Sequence, residues 1–257
     1  QSEFSEQGAQ FISATGGTVT TVCTNFKVHT FTAPGTFCVA SGAGPLGIVD
    51  YMVVAGGGSG GRGGSGGNAG GGGGAGGFRE SKTAAVSGCW TATPLATPAS
   101  VPVTPGAYPI TVGAGGSSAP SYGNPGSNSI AALPTSITSA GGAGGAANAS
   151  DPGFNPPSYP GAGGSGGGGR GGGGIPGLGG AGNTPPVSPP QGNPGGVGGS
   201  NTGPNPQSPD NGAGGGGGAG GVGGNTTAPS TGGAGGVGVT NTINGSPTIR
   251  SAGGGGA

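Results

Sequence analysis

Short runs of Val, Thr and aromatic residues crowd into the first 54 residues of the chain. They are 18–22 (TVTTV), 27–32 (KVHTFT), 36–40 (TFCVA) and 49–54 (VDYMVV). β-branched and aromatic residues fit a pleated, half-buried surface, so these runs predict strands. Pro34-Gly35 stands between Phe31 and Phe37. Proline presets the first central position of a turn and glycine accepts a positive φ at the second, which predicts a type II turn. The stretch 27–40 then reads as a hairpin. Phe4, Phe11, Phe26, Phe31 and Phe37 all fall in this region, enough for a small core. Residues 1–14 hold Glu3 and Glu6 and little strand pattern, so they read as an arm or a linker.

Beyond residue 54 the pattern changes. Glycine runs occupy roughly 55–77, 112–116, 140–147, 161–174, 177–182, 195–200, 212–224, 232–238 and 252–256. Within them the repeat is often three, as in Gly-Gly-Ala-Gly-Gly at 141–145 and Gly-Gly-Ala-Gly-Gly-Val-Gly at 232–238. A strand repeats every two residues and an α-helix every 3.6. Three residues per turn, at about 3.1 Å rise, belongs to the polyproline-II type helix. That helix has no internal hydrogen bonds, so its N–H and C=O groups must find neighbours or water. Several side by side can pair with one another only if side chains are missing where they touch. The expected fold is therefore a small N-terminal β region, 1–54, followed by a bundle of polyglycine-II helices, 55–257, with Pro/Ser/Asn loops and essentially no α-helix.

Composition sharpens this. The chain of 257 residues has 76 Gly and 25 Pro, above the roughly 25–30% of Gly plus Pro that marks low complexity. Leu, Ile, Val and Phe fall below the roughly 20% a cored domain needs. An ordinary enzyme fold, a helical bundle and a membrane span are excluded on this ground. Disordered chains of low hydrophobicity usually carry high net charge, whereas six basic and six acidic residues cancel here. The backbone must then be satisfied by its own neighbours.

The charges form no basic patch, so nucleic acid is not an expected partner. No apolar run approaches the 18 or more residues of a transmembrane helix, and membrane insertion is not expected. The chain starts at Gln1, which reads as a removed leader or a piece of a longer product. Cys23, Cys38 and Cys89 allow one disulfide, with three possible pairings and one thiol left over. None sits in a C-x-x-C, so no metal site is expected. Asn148-Ala-Ser, Asn225-Thr-Thr and Asn244-Gly-Ser are glycosylation triplets.

His29, the single histidine, lies within a strand run and reads as structural. One histidine and six scattered carboxylates give no triad or carboxylate pair, so no catalytic residue and no cofactor are expected. The segments between the glycine runs carry Trp90, Tyr122, Phe154 and Tyr159. Aromatics there supply rigid contact area and are the candidate receptor-contact residues. The alternative is that they shield the ends of the bundle from water.

The order HTFTAPGTFCV (29–39), VDYMVVAGGGSGG (49–61), GGGGAGGFRE (71–80), YPITVGAGG (108–116) and SAGGGGA (251–257) resembles the glycine-rich domain of phage tail fibres. It is similar to the polyglycine-II sandwich adhesins, over roughly residues 15–257. The resemblance implies a non-enzymatic extracellular or virion-surface adhesin, a homo-oligomer such as a trimer, whose loops meet a glycan or protein receptor on the host surface. A second expectation is a subunit of a self-assembling extracellular filament, in which residues 1 to about 20 add a strand to the next subunit. A third is an ice-binding or surface-coat protein with a regular face of Ala, Thr or Ser, although no sustained Thr ladder occurs.

Overall fold

The computed structural model describes residues 11–24, 26–42, 47–64, 68–83, 90–118, 120–147, 160–172, 176–200, 211–227 and 231–257. Its regular structure is all-β. The strands are β1 (Ser13–Thr15), β2 (Thr18–Val22), β3 (Phe26–Thr30), β4 (Gly35–Ser41), β5 (Ile48–Val49), β6 (Met52–Val54) and β7 (Phe78–Ser81). They continue with β8 (Ala96–Thr97), β9 (Val101–Pro102), β10 (Gly106–Thr111), β11 (Ser129–Ala131), β12 (Ile137–Ser139), β13 (Val239–Asn241) and β14 (Thr248–Arg250). The largest sheet runs β1-β4-β10-β11-β12, and β6-β7-β8 form a second. Three two-stranded ribbons, β2-β3, β5-β9 and β13-β14, complete the set among the described residues.

This corrects the expected fold class. The structure is a set of small sheets spread from Ser13 to Arg250, and the described glycine runs are not assigned to helices of any kind. The apolar segments between glycine runs, such as Tyr108–Ile110 and Ile130, pair with the N-terminal strands and carry the β structure far past residue 54. Residues 54 and 55 are therefore no boundary for the five-stranded sheet.

The hairpin expected over 27–40 is also corrected. β3 pairs with β2, Thr18 opposite Thr30 and Val22 opposite Phe26. The turn between them places Cys23 and Thr24 at positive φ. β4 pairs instead with β1 and β10. Gly35 does not take the positive φ of a type II turn; it opens β4 opposite Ile110. A Cβ there would press on the Phe31 ring at 3.2 Å, a contact that a small shift of that side chain relieves. The run 49–54 splits, β5 going to one sheet and β6 to another. Of the N-terminal arm, residues 1–10 lie outside the described residues, and Ser13–Thr15 is already a strand.

One apolar core joins the N-terminal strands to segments that follow the first glycine run. Phe37, Val39 and Tyr51 pack with Val101, Val103, Ala131, Leu133 and Ile137. Inward residues alternate along β4, where Phe37 and Val39 are buried and Cys38 between them is half-buried. A second, smaller cluster sets Phe78 against Ala219 and Val239.

Between these sheets the glycine runs are held by backbone hydrogen bonds to several neighbours at once. In the run 68–77, Gly71, Gly74 and Gly77 donate to Ala146, Ala143 and Ala140 at 2.8 Å. Gly72 and Ala75, one residue on, donate in a second direction, to Gly214 and Gly217 at 3.0 and 2.9 Å. The same run accepts from Gly58 and Gly61, from Ser165 and Gly168, and from Gly254. A ladder partner on one side cannot supply this arrangement, and no i→i+4 bond occurs within it, so the run is neither strand nor α-helix. The three-residue repeat of the sequence appears in burial: over 231–239, Gly233, Gly236 and Val239 are the buried residues. Alanines tolerated inside the array fall at the same spacing, Ala140, Ala143 and Ala146 being 5%, 1% and 0% exposed.

Candidate functional site

The glycine array has two ends, and the candidate residues divide between them. At one end lies loop 117–128, which leaves run 112–116 and returns to β11. Arg62 N–H donates to the Ser121 carbonyl at 2.8 Å, and Ser59 N–H to the Asn124 carbonyl at 3.0 Å. Side chains add to this. Ser59 Oγ donates to the Ser117 carbonyl at 3.0 Å and accepts from Asn124 N–H at 2.9 Å. Asn124 Nδ2 donates to the Ser117 carbonyl and hydroxyl at 3.2 and 3.0 Å. Arg62 Nη1 donates to the Pro120 carbonyl at 3.2 Å. The loop is thus tied to the glycine array on both flanks of Tyr122, which is half-buried. Arg62 is exposed beside it. A charged residue within a glycine run predicts a solvated position, and Arg62 is exposed; only the fold sets it beside Tyr122.

Further bonds lie at the same level. Gly64 N–H bonds to Asn68, Gly171 to Ala69, Gly199 to Gly212, and Thr226 Oγ1 to the Thr231 carbonyl at 2.6 Å. Phe154 and Tyr159 lie outside the described residues, as does the sequon Asn148.

Trp90 sits at the other end and is 7% exposed. Lys82 Nζ lies 5.2 Å over its ring and donates to the Trp90 carbonyl. The structure therefore does not bring Trp90 together with Tyr122, and it covers the indole face that a receptor would need. Next to it, Glu80 is 1% exposed. Its Oε2 accepts from Thr93 N–H at 2.9 Å and Thr93 Oγ1 at 2.6 Å, and its Oε1 from Asn241 Nδ2 at 2.8 Å. Asn241 Oδ1 in turn accepts from Arg250 Nη1 at 2.8 Å. Burial lowers the Arg250 pKa, and the Glu80 carboxylate opposes that shift. This chain of bonds joins β7 to the β13-β14 ribbon and holds the array shut at this end.

Cys23 is disulfide-bonded, Cys38 is a free, half-buried thiol, and Cys89 lies outside the described residues. His29 is structural in its contacts: Nδ1 is 2.8 Å from the Gly16 carbonyl, and its ring meets Phe37 edge-on at 5.1 Å. Two open clefts, of about 310 and 430 Å³, are lined by hydroxyl, amide and small apolar groups such as Thr20, Thr242 and Ser246 in one and Leu95 and Val239 in the other. Among the described residues no three His, Cys, Asp or Glu are grouped to hold a metal ion, and no helix is long and apolar enough to cross a membrane.

A family model described as a glycine-rich domain matches residues 30–257. The chain belongs to this glycine-rich domain family. No curated protein and no solved structure matches it. The family match takes in every glycine run and every strand from β4 onward, and it begins at the last residue of β3. Within the glycine-rich domain, Tyr122 and Arg62 share one end of the array, and Trp90 closes the other.

Proposed function

We propose that this glycine-rich domain is a non-enzymatic extracellular structural protein that presents loops on a stiff scaffold to a surface receptor, in the manner of phage tail fibres. The observation that carries the reading is the attachment of loop 117–128 to the array through Ser59, Arg62 and Asn124. A contact residue held this way loses little conformational freedom on binding, which is how preorganisation raises affinity. Tyr122 with Arg62 is the pair most suited to meet a glycan or protein surface, since Tyr and Arg are enriched among the residues that dominate interfaces.

The test is binding of the labelled protein to intact cells of candidate hosts, with and without enzymatic removal of surface glycans. Saturable binding that drops about tenfold or more in Tyr122→Ala, and is unchanged in Trp90→Phe, is the expected result. Equal binding by the wild type and Tyr122→Ala would remove this loop from the contact surface.

A second reading, a self-assembling filament, is favoured by one feature. Phe11 is 78% exposed and lies two residues before β1, the edge strand of the largest sheet. Strand addition to a neighbour would then fall to residues 1–12, because β1 and β2 are already paired within the chain. Electron microscopy of the native protein separates the readings. A short fibre fixed to a larger particle supports display, and a continuous helical polymer lost on deleting residues 1–10 supports the filament.

A further inference from the structure

Two of the three glycosylation triplets lie in described residues, and their geometry differs. Asn244 is exposed in the turn between β13 and β14, but Ser246 of its triplet is followed by Pro247. A residue before proline is restricted to extended conformations, which limits how that triplet can present its hydroxyl. Asn225-Thr226-Thr227 has no such neighbour. It lies on the outer run 221–227, with Asn225 and Thr227 both exposed.

The orientation of the Asn225 amide is fixed. Val197 N–H donates to Asn225 Oδ1 at 2.8 Å. A backbone N–H can face only the amide oxygen, so the oxygen is anchored inward and Nδ2 is the atom turned outward. Thr226 N–H bonds back to the Val197 carbonyl at 3.0 Å and Thr226 Oγ1 to the Thr231 carbonyl, which pins the triplet's middle residue from both sides. A group attached to Nδ2 leaves every one of these bonds in place. A disulfide at Cys23 is the kind of bond that persists in an oxidising compartment, the setting in which such triplets are modified.

We propose that Asn225 carries an N-linked glycan. The inference rests on the extracellular part of the reading above and not on receptor display. In the transfer, Asn225 Nδ2 attacks the anomeric carbon of a lipid-pyrophosphate-linked oligosaccharide. The nitrogen–carbon bond forms and the carbon–oxygen bond to the pyrophosphate breaks. The lipid pyrophosphate leaves with the bonding pair, and one Nδ2 proton passes to the transferase. Because Thr226 bonds to Thr231 at the level of Arg62, the glycan stands at the loop-bearing end and flanks the proposed contact surface.

The experiment is peptide mass spectrometry of the full chain from its native host, before and after an amidase that releases N-glycans and converts the modified Asn to Asp. The expected result is a sugar on Asn225 and Asp at 225 after release. Thr227→Ala, expressed in the same host, should lose the glycan while the bond from Val197 to Asn225 and the melting temperature persist; Thr227→Ser should keep it. Unmodified Asn225 overturns the proposal, whatever is attached to Asn148 or Asn244. Unmodified Asn225 on protein recovered outside cells leaves the display reading standing, since that reading is judged by the Tyr122 binding test. A glycan on Asn225 together with unchanged binding by Tyr122→Ala removes display and keeps the modification.

Discussion

At the scale of single residues, position in the three-residue repeat decides what a glycine can become. A Cβ on Gly74 would collide with the Ser165 and Gly166 carbonyls, which belong to backbone held in the array. Gly74→Ala should therefore destabilise by about 3 kcal/mol or more, since overpacking forces backbone to move. Gly60 faces outward, and a Cβ there would lie 3.6 Å from the Gly71 carbonyl oxygen. Gly60→Ala should be neutral or stabilise by about 0.4–1 kcal/mol, because it restricts the unfolded chain alone. Denaturant melts of the two variants read this directly, and equal effects would remove the distinction. Tyr51 gives a pH signature. Burial raises its pKa, more than the nearby Arg79 lowers it. The unfolded chain therefore releases this proton first, so the stability held by neutral Tyr51 is complete below about pH 10 and falls as pH rises through that value. Tyr51→Phe should lack this alkaline component of unfolding; an unchanged alkaline limb would assign it to other groups.

At the scale of elements, the positions of β2, β3 and β4 were legible in the sequence; their partners, and the strands from β7 onward, were not. The run 18–22 is β2 to the residue, and β3 and β4 lie within a few residues of the stretches read for them. The Val/Thr/Phe content of those segments fixes an extended backbone, but pairing depends on which apolar face meets which core. Phe37 and Val39 turn β4 toward residues more than sixty positions later, Val101 and Ile137 among them. A local turn signal at Pro34-Gly35 could not show that. The Glu80 network was equally hidden, because its partners Thr93, Asn241 and Arg250 are polar residues of ordinary segments joined only by the fold. Glu80→Ala leaves the Thr93 N–H buried without its acceptor and leaves Asn241 Nδ2 only the weak acceptor Met52 Sδ, at 3.1 Å. It should cost about 3 kcal/mol, the sum expected of a few orphaned donors, and should free the β13-β14 ribbon first. Hydrogen exchange at Thr240 and Ile249 measured against that at Ile130 tests the order, and uniform loss of protection would show that the network does not hold that ribbon separately.

At the scale of the whole molecule, the glycine composition implies backbone pairing where side chains are missing, and a three-residue spacing appears in the burial of Gly233, Gly236 and Val239. The β structure is not confined to the first 54 residues, because apolar segments between runs return to the N-terminal strands and share their core. What surrounds Tyr122 was out of reach for a related reason: Ser59 and Arg62 are 58 residues away from the groups they bind. The balance of buried surface has a thermodynamic consequence. Exposing apolar surface raises the heat capacity on unfolding and exposing polar surface lowers it. Fully buried stretches such as 71–77, 141–147 and 212–218 consist of Gly and Ala, whose buried area is largely peptide groups. The unfolding heat capacity per residue should then fall clearly below the about 12–15 cal/mol/K of ordinary domains, and the stability curve should be correspondingly flat with temperature. Calorimetric scans across a pH series, below the onset of Tyr51 ionisation, give this value from the slope of enthalpy against melting temperature. An ordinary heat capacity would mean that the sheets and their apolar core, and not the hydrogen-bonded glycine runs, account for the surface hidden on folding.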